Sequence, residues 1–157
     1  MSKLAEALKE SSERSFASKW GHAVFQQGFT MIPNALLQAH ELLQSEEEEL
    51  KLSPTEFLVV FQLISMWWKA DVWPFPSKAL LARRTGISPR QVQRVLSSLK
   101  KKKLIRQTER PVRQGSLKAT PAYSLTLLVD HVNDLAARSA KNAGRMVPKE
   151  KRPQVET

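Results

Sequence analysis

The chain has 157 residues, 41% of them hydrophobic, which is enough for one packed domain with some tail. It has no cysteine, so disulfide stapling and thiolate metal sites are excluded, and its formal net charge is +10. The N-terminus lacks an apolar signal core, and the most apolar segment, 57–68, falls short of the ~20 residues of a membrane span. The expectation is a cytoplasmic protein without membrane contact.

The charge is unevenly spread. Residues 1–76 carry a net excess of acid, whereas residues 77–118 hold 13 Lys/Arg and one acid, Glu109. A merely solvated surface needs no such asymmetry, whereas a polyanion site does.

Taken in order, residues 1–19 are weakly helical, with Leu4, Ala5 and Leu8 as a thin apolar stripe. They suit a flexible arm, or one that orders on a partner. His22 to Met31 is rich in aromatic and β-branched residues around Gly28, which predicts a short strand or extended segment. Pro33 then opens an amphipathic helix ending near Gln44, with Leu36, Leu37, His40 and Leu43 on one side. The acidic run after Ser45 reads as a solvated loop or helix end, or as a contact for a basic surface of a partner subunit.

Ser53-Pro54-Thr55-Glu56 has the pattern of a capping box. The helix it starts, 54–68, is apolar nearly all round, which predicts burial on more than one side, by the chain itself or by a second copy. Pro74 and Pro76 then fix an extended approach, with Trp73 and Phe75 expected to pack beneath the following helices. Ser77 is the next N-cap, for a short helix that stops at Gly86.

Ser88-Pro89-Arg90-Gln91 is a second capping box and opens helix 88–101. At 100° per residue Val92, Val95, Leu96 and Leu99 share one face. Arg90, Arg94, Ser97, Ser98 and Lys101 lie opposite, flanked by Gln91 and Gln93, with no acid on the helix. Arg and Gln are the residue types that read guanine and adenine edges in the major groove. Arg90, Gln91 and Arg94, at the N-terminal end, are the foremost candidates for base contacts, and Ser77, Lys78, Ser88, Gln93, Ser97 and Lys101 complete the helical set. The bland alternative is a solvated face on a scaffold helix. It does not account together for the missing acids, paired caps, glycine turn and basic flanks.

After Lys100–Lys103, residues 104–108 read as a strand and 122–128 as its partner, with Tyr123, Leu125 and Leu127 alternating against Ser124 and Thr126. The basic loop between them, within 108–121, is a wing whose Arg110, Arg113 and Lys118 are candidates for backbone or minor-groove contact. Residues 129–140 predict a short helix, and the chain from Lys141 on predicts disorder.

The run from Phe75 to Ile105 resembles the winged helix-turn-helix family of bacterial, plasmid and phage regulators, which also supplies N-terminal domains of replication initiators. The resemblance rests on Pro76-Ser77, Leu81-Ala82, Gly86-Ile87-Ser88, Arg90-x-Val92-x-Arg94 and Leu104-Ile105. Lys103 departs from it, standing where glycine is usual. The fold class expected is mainly α with a small β-hairpin wing. The expected organisation is an arm at 1–19, a winged helix-turn-helix domain with an N-terminal extension at 20–137, and a disordered basic tail at 138–157.

Catalysis is not expected. His22, His40 and His131 are scattered without metal-ligand spacing, and no glycine-rich phosphate loop or nucleophile elbow occurs. No cofactor, metal or small-molecule ligand is implied. The partner implied is double-stranded DNA, read by a homodimer in a nucleoid-associated, cytoplasmic setting. The role expected first is transcription regulation, the alternative is plasmid or phage replication initiation, and a third reading is a protein–protein or RNA assembly module.

Overall fold

A computed structural model describes residues 3–43, 45–109 and 120–146. The described chain forms two compact units, Met1–Met31 and Ile32–Thr157.

In the first unit, α1 (Lys3–Trp20) meets α2 (His22–Gln26) at Gly21, whose φ of 85° suits a residue without Cβ. No strand forms over 22–31: α2 takes 22–26, and 27–31 has no regular structure. Phe25 and Phe29 are four apart and both reach Phe16, with ring centroids 5.9 and 4.6 Å away. The residues that suggested a strand therefore make a small aromatic cluster.

The second unit begins with α3 (Asn34–Leu37) and α4 (Ala39–Leu42), two short helices where one was expected. Gln38 breaks them at φ −94° and ψ 10°. The break sends the apolar side chains two ways: Leu36 enters the main core, whereas Ala39 and Leu43 pack with Leu135. Leu37, expected inside, is exposed. His40 is exposed too, but its Nε2 lies 2.5 Å from the Leu52 carbonyl oxygen. A 3-10 segment, Ser45–Leu50, carries the acidic run.

Ser53 caps α5 (Pro54–Ser65) in a full capping box. Val59, Val60 and Leu63 are wholly buried, whereas Leu58 is exposed. The helix stops at Ser65, before the 68 expected. Met66 and Trp67 close it with bonds to Leu63 and Ile64, and Trp67 turns toward Trp73 at 5.2 Å. Phe75, expected beneath the next helices, is partly exposed.

The remaining elements are α6 (Lys78–Thr85), α7 (Pro89–Lys101), β1 (Arg106–Thr108), β2 (Ala122–Ser124) and α8 (Thr126–Met146). β1 and β2 are antiparallel, with Gln107 opposite Tyr123. Tyr123 N also donates to the Pro74 carbonyl at 2.8 Å, so the extended stretch before α6 borders the free side of β2. This arrangement of mostly helices followed by a hairpin is a winged helix-turn-helix. β2 does not alternate as expected; Ala122, Tyr123 and Ser124 are all buried. The strand ends early because Ser124 Oγ accepts from Thr126 N, where α8 starts. Helix α8 packs on α3 and α4 and runs through residues 141–146, where disorder was expected.

Candidate nucleic-acid interface

Two caps and one glycine orient the helix pair. Ser77 Oγ accepts from Leu80 N at 3.1 Å and starts α6. Gly86 ends it in the left-handed region at φ 75°, with its N–H on the Ala82 carbonyl. Ser88 Oγ then accepts from Gln91 N at 3.2 Å, and Gln91 Oε1 accepts from Ser88 N at 3.1 Å. Both ends of the turn are thereby hydrogen-bonded without outside help.

Val92, Leu96 and Leu99 bury the inner face of α7. Full burial of such a side chain contributes about 1.5–3 kcal/mol, so the helix is held by its apolar face. Arg90, Gln93, Arg94, Ser97 and Lys101 are all exposed, as the helical spacing predicts. Gln93 donates to Ser97 at 3.4 Å, a weak bond that leaves both able to engage a ligand. Gln91 is also exposed, but its side-chain oxygen serves the cap. Only its amide NH2 group remains for an outside acceptor.

Ser77 and Lys78 are exposed at the start of α6. They share with Gln93, Lys100, Gln107 and Thr120 the lining of a groove of about 520 Å³. Lys100 Nζ donates to Gln107 Oε1 at 3.1 Å across this groove, tying α7 to the hairpin. The fold thus brings the start of α6, the flank of α7 and the base of the wing to one side. Arg110, Arg113 and Lys118 lie outside the described residues.

Ser98, expected on the outer face, turns inward, and Lys102 at the end of the helix joins it. Ser98 Oγ donates to Glu56 Oε1 at 2.7 Å, and Lys102 Nζ donates to Glu56 Oε2 at 2.8 Å and to the Lys51 carbonyl at 2.6 Å. Glu56 is only 4% exposed. Burial pushes its carboxyl up, but the bonds from Lys102, Ser53 N and Ser98, with the Lys102 charge, hold it below the ordinary carboxylate range. This network joins the start of α5 to the last turns of α7. A signal for it existed: at 100° per residue Lys102 falls at about 280° from Val92, on the flank of Ser98 rather than of Arg94. What the spacing lacked was the position of α5.

Lys103 takes φ 56°. Its N–H reaches the Lys100 carbonyl, and Leu104 N reaches the Leu99 carbonyl, both at 3.0 Å. This is the Schellman arrangement that glycine usually closes, so the chain enters the wing by the usual route with a strained residue.

Among the described residues no group of three or more His, Asp or Glu could hold a metal ion. Nor is any described helix long and apolar enough to cross a membrane.

Residues 50–105 match the family model of a helix-turn-helix domain. That match covers α5, α6 and α7 and ends just before β1, so this segment is similar to a helix-turn-helix domain. No curated protein matches the chain.

Proposed function

We propose that the protein is a sequence-specific reader of double-stranded DNA, without catalytic activity of its own, that regulates transcription in a bacterium or mobile element. Helix α7 enters the major groove with Arg90, Arg94 and the Gln91 amide toward base edges. Ser77, Lys78, Ser97 and Lys101 serve backbone phosphates, and the wing, with Arg110, Arg113 and Lys118, follows the flanking backbone or minor groove. The protein works as a homodimer at the nucleoid.

The observation that carries this reading is the outer face of α7. It exposes Arg90, Gln93, Arg94, Ser97 and Lys101 with no acid among them. Glu56, which bonds Ser98 of this helix, is buried and paired with Lys102. Phosphate therefore meets no repelling charge on this helix.

A salt titration on duplex DNA tests it. Six to eight Lys/Arg–phosphate contacts give a log–log slope of roughly −5 to −7. A slope near zero would remove the reading, and stronger binding to RNA than to duplex DNA would replace it with an RNA assembly role. Genomic footprinting then assigns the role, because sites at promoters mean regulation and sites at an origin mean replication initiation.

A further inference from the structure

Where the chain leaves α5 and enters α6, Met66, Val72, Trp73, Phe75 and Leu80 line an apolar groove of about 440 Å³. Trp68 forms one wall and stands 84% exposed above it. With Val72 and Phe75, both also exposed, it makes a contiguous apolar patch of the kind that marks an interaction surface. Lys69 and Asp71, both exposed, sit on the turn between Trp68 and Val72.

We infer that this groove is the docking surface for a second copy of the chain, with Trp68 of each copy seated in the groove of the other. The inference rests on the homodimer part of the function proposed above and names its interface. Three properties of the patch favour a second copy over an unrelated partner. A two-fold interface uses the same patch twice, so it must carry both a projection and a recess. Here an exposed indole and an apolar groove adjoin within one patch. The charges are also self-complementary: Lys69 and Asp71 lie two residues apart with opposite signs, so a two-fold axis between them can set each Lys69 against the other copy's Asp71. Finally, the exposed surface of Trp68, Val72 and Phe75 is on the order of 400 Å², about half of the ~800 Å² per partner of a stable complex. An area of that size suits a weak dimer rather than an obligate one.

The test is sedimentation equilibrium of the full chain without DNA, up to about 200 µM, where a micromolar dimer is populated. The expected result is a monomer–dimer equilibrium for the natural chain. Trp68→Asp should weaken it at least tenfold with unchanged far-UV dichroism and melting temperature, because Trp68 lies outside the core. Lys69→Asp and Asp71→Lys should each weaken it severalfold, and the double variant should recover most of the loss. A natural chain that stays monomeric throughout this range overturns the inference. So does a dimer indifferent to Trp68→Asp, or a double variant no better than the single ones. Because DNA is absent, failure here leaves the DNA-reading proposal standing, and failure of the salt titration leaves this measurement intact.

Discussion

Lys102 Nζ lies 2.8 Å from Glu56 Oε2, so one of four consecutive lysines at the end of α7 points into the protein rather than toward a ligand. The Glu56 carboxylate also accepts from Ser53 N at 2.7 Å and Ser98 Oγ at 2.7 Å. One carboxylate therefore caps α5 and fixes the register of α7 against it. Removing it costs the Lys102 ammonium its carboxylate partner, leaving it the Lys51 carbonyl, and strands two further donors in a poorly solvated place. We expect Glu56→Ala to cost about 3–5 kcal/mol of folding stability and Glu56→Gln about 1–2 kcal/mol. Urea unfolding measures both, and a cost below 0.5 kcal/mol for Glu56→Ala would show that water replaces the network easily.

The same carboxylate sets an acid limb. Its pKa is depressed from the ordinary 4.5, so its contribution is fully present above about pH 4.5 and is lost as pH falls through the lower, folded value. Stability measured from pH 6 to pH 3 should decline below 4.5 in the natural chain. Glu56→Gln should show a shallower decline over that window, and parallel curves would mean that other carboxylates set the limb.

Lys101 and Lys102 are neighbours with different duties. Lys101 is exposed on the outer face, whereas Lys102 is engaged with Glu56 and Lys51. Lys101→Ala should reduce the magnitude of the salt slope of DNA binding by about 0.9 and leave stability nearly unchanged. Lys102→Ala should do the reverse. Equal loss of slope in both variants would place Lys102 at phosphate after all.

Arg90→Ala and Arg94→Ala should leave the fold intact, because both side chains are exposed. Each should cost about 1–3 kcal/mol of binding and relax selectivity at one base position. A binding-site selection on each variant checks this. Uniform loss across all sequences would reassign that arginine to the backbone.

Gly86 and Lys103 both adopt positive φ, at 75° and 56°. No atom lies within 4 Å of a Cβ added at Gly86, so Gly86→Ala meets no clash and should cost only the conformational strain, about 1–2 kcal/mol. Lys103→Gly should relieve similar strain and raise stability by about 0.5–1 kcal/mol. Thermal unfolding reads both, and a Lys103→Gly variant that melts lower would mean that the lysine side chain stabilises this corner by more than its strain costs.

Much of the helix pair is legible in residue order alone. Ser53, Ser77 and Ser88 mark helix starts because a hydroxyl oxygen at that position meets a backbone donor three residues on. Gly86 marks a stop, and the spacing of Val92, Val95, Leu96 and Leu99 assigns the buried face of α7. All of these are local: cause and effect lie within one or two helical turns. The N-terminal third was harder. Phe25 and Phe29 carry strand propensity, yet they pack on Phe16, Phe25 from α2 and Phe29 from the irregular chain after Gly28, because ring packing outweighs a preference worth under about 1 kcal/mol per residue. Gln38 interrupts a helix whose periodicity looked continuous, because its apolar residues serve two separate clusters.

The candidate site divides along the same line. That α7 would bury an aliphatic stripe and turn Arg90, Arg94 and Lys101 outward followed from a 100° step per residue and required no knowledge of any other element. That Ser98 would leave that face, and that Lys102 would join it, required Glu56, which is 42 and 46 residues away in sequence. That Gln107 would meet Lys100, and Tyr123 the Pro74 carbonyl, required the hairpin to fold back across α7. Such contacts depend on where distant segments come together. The chain order carries a helix's own geometry, but the partner of a buried charge is settled only when the core closes around it.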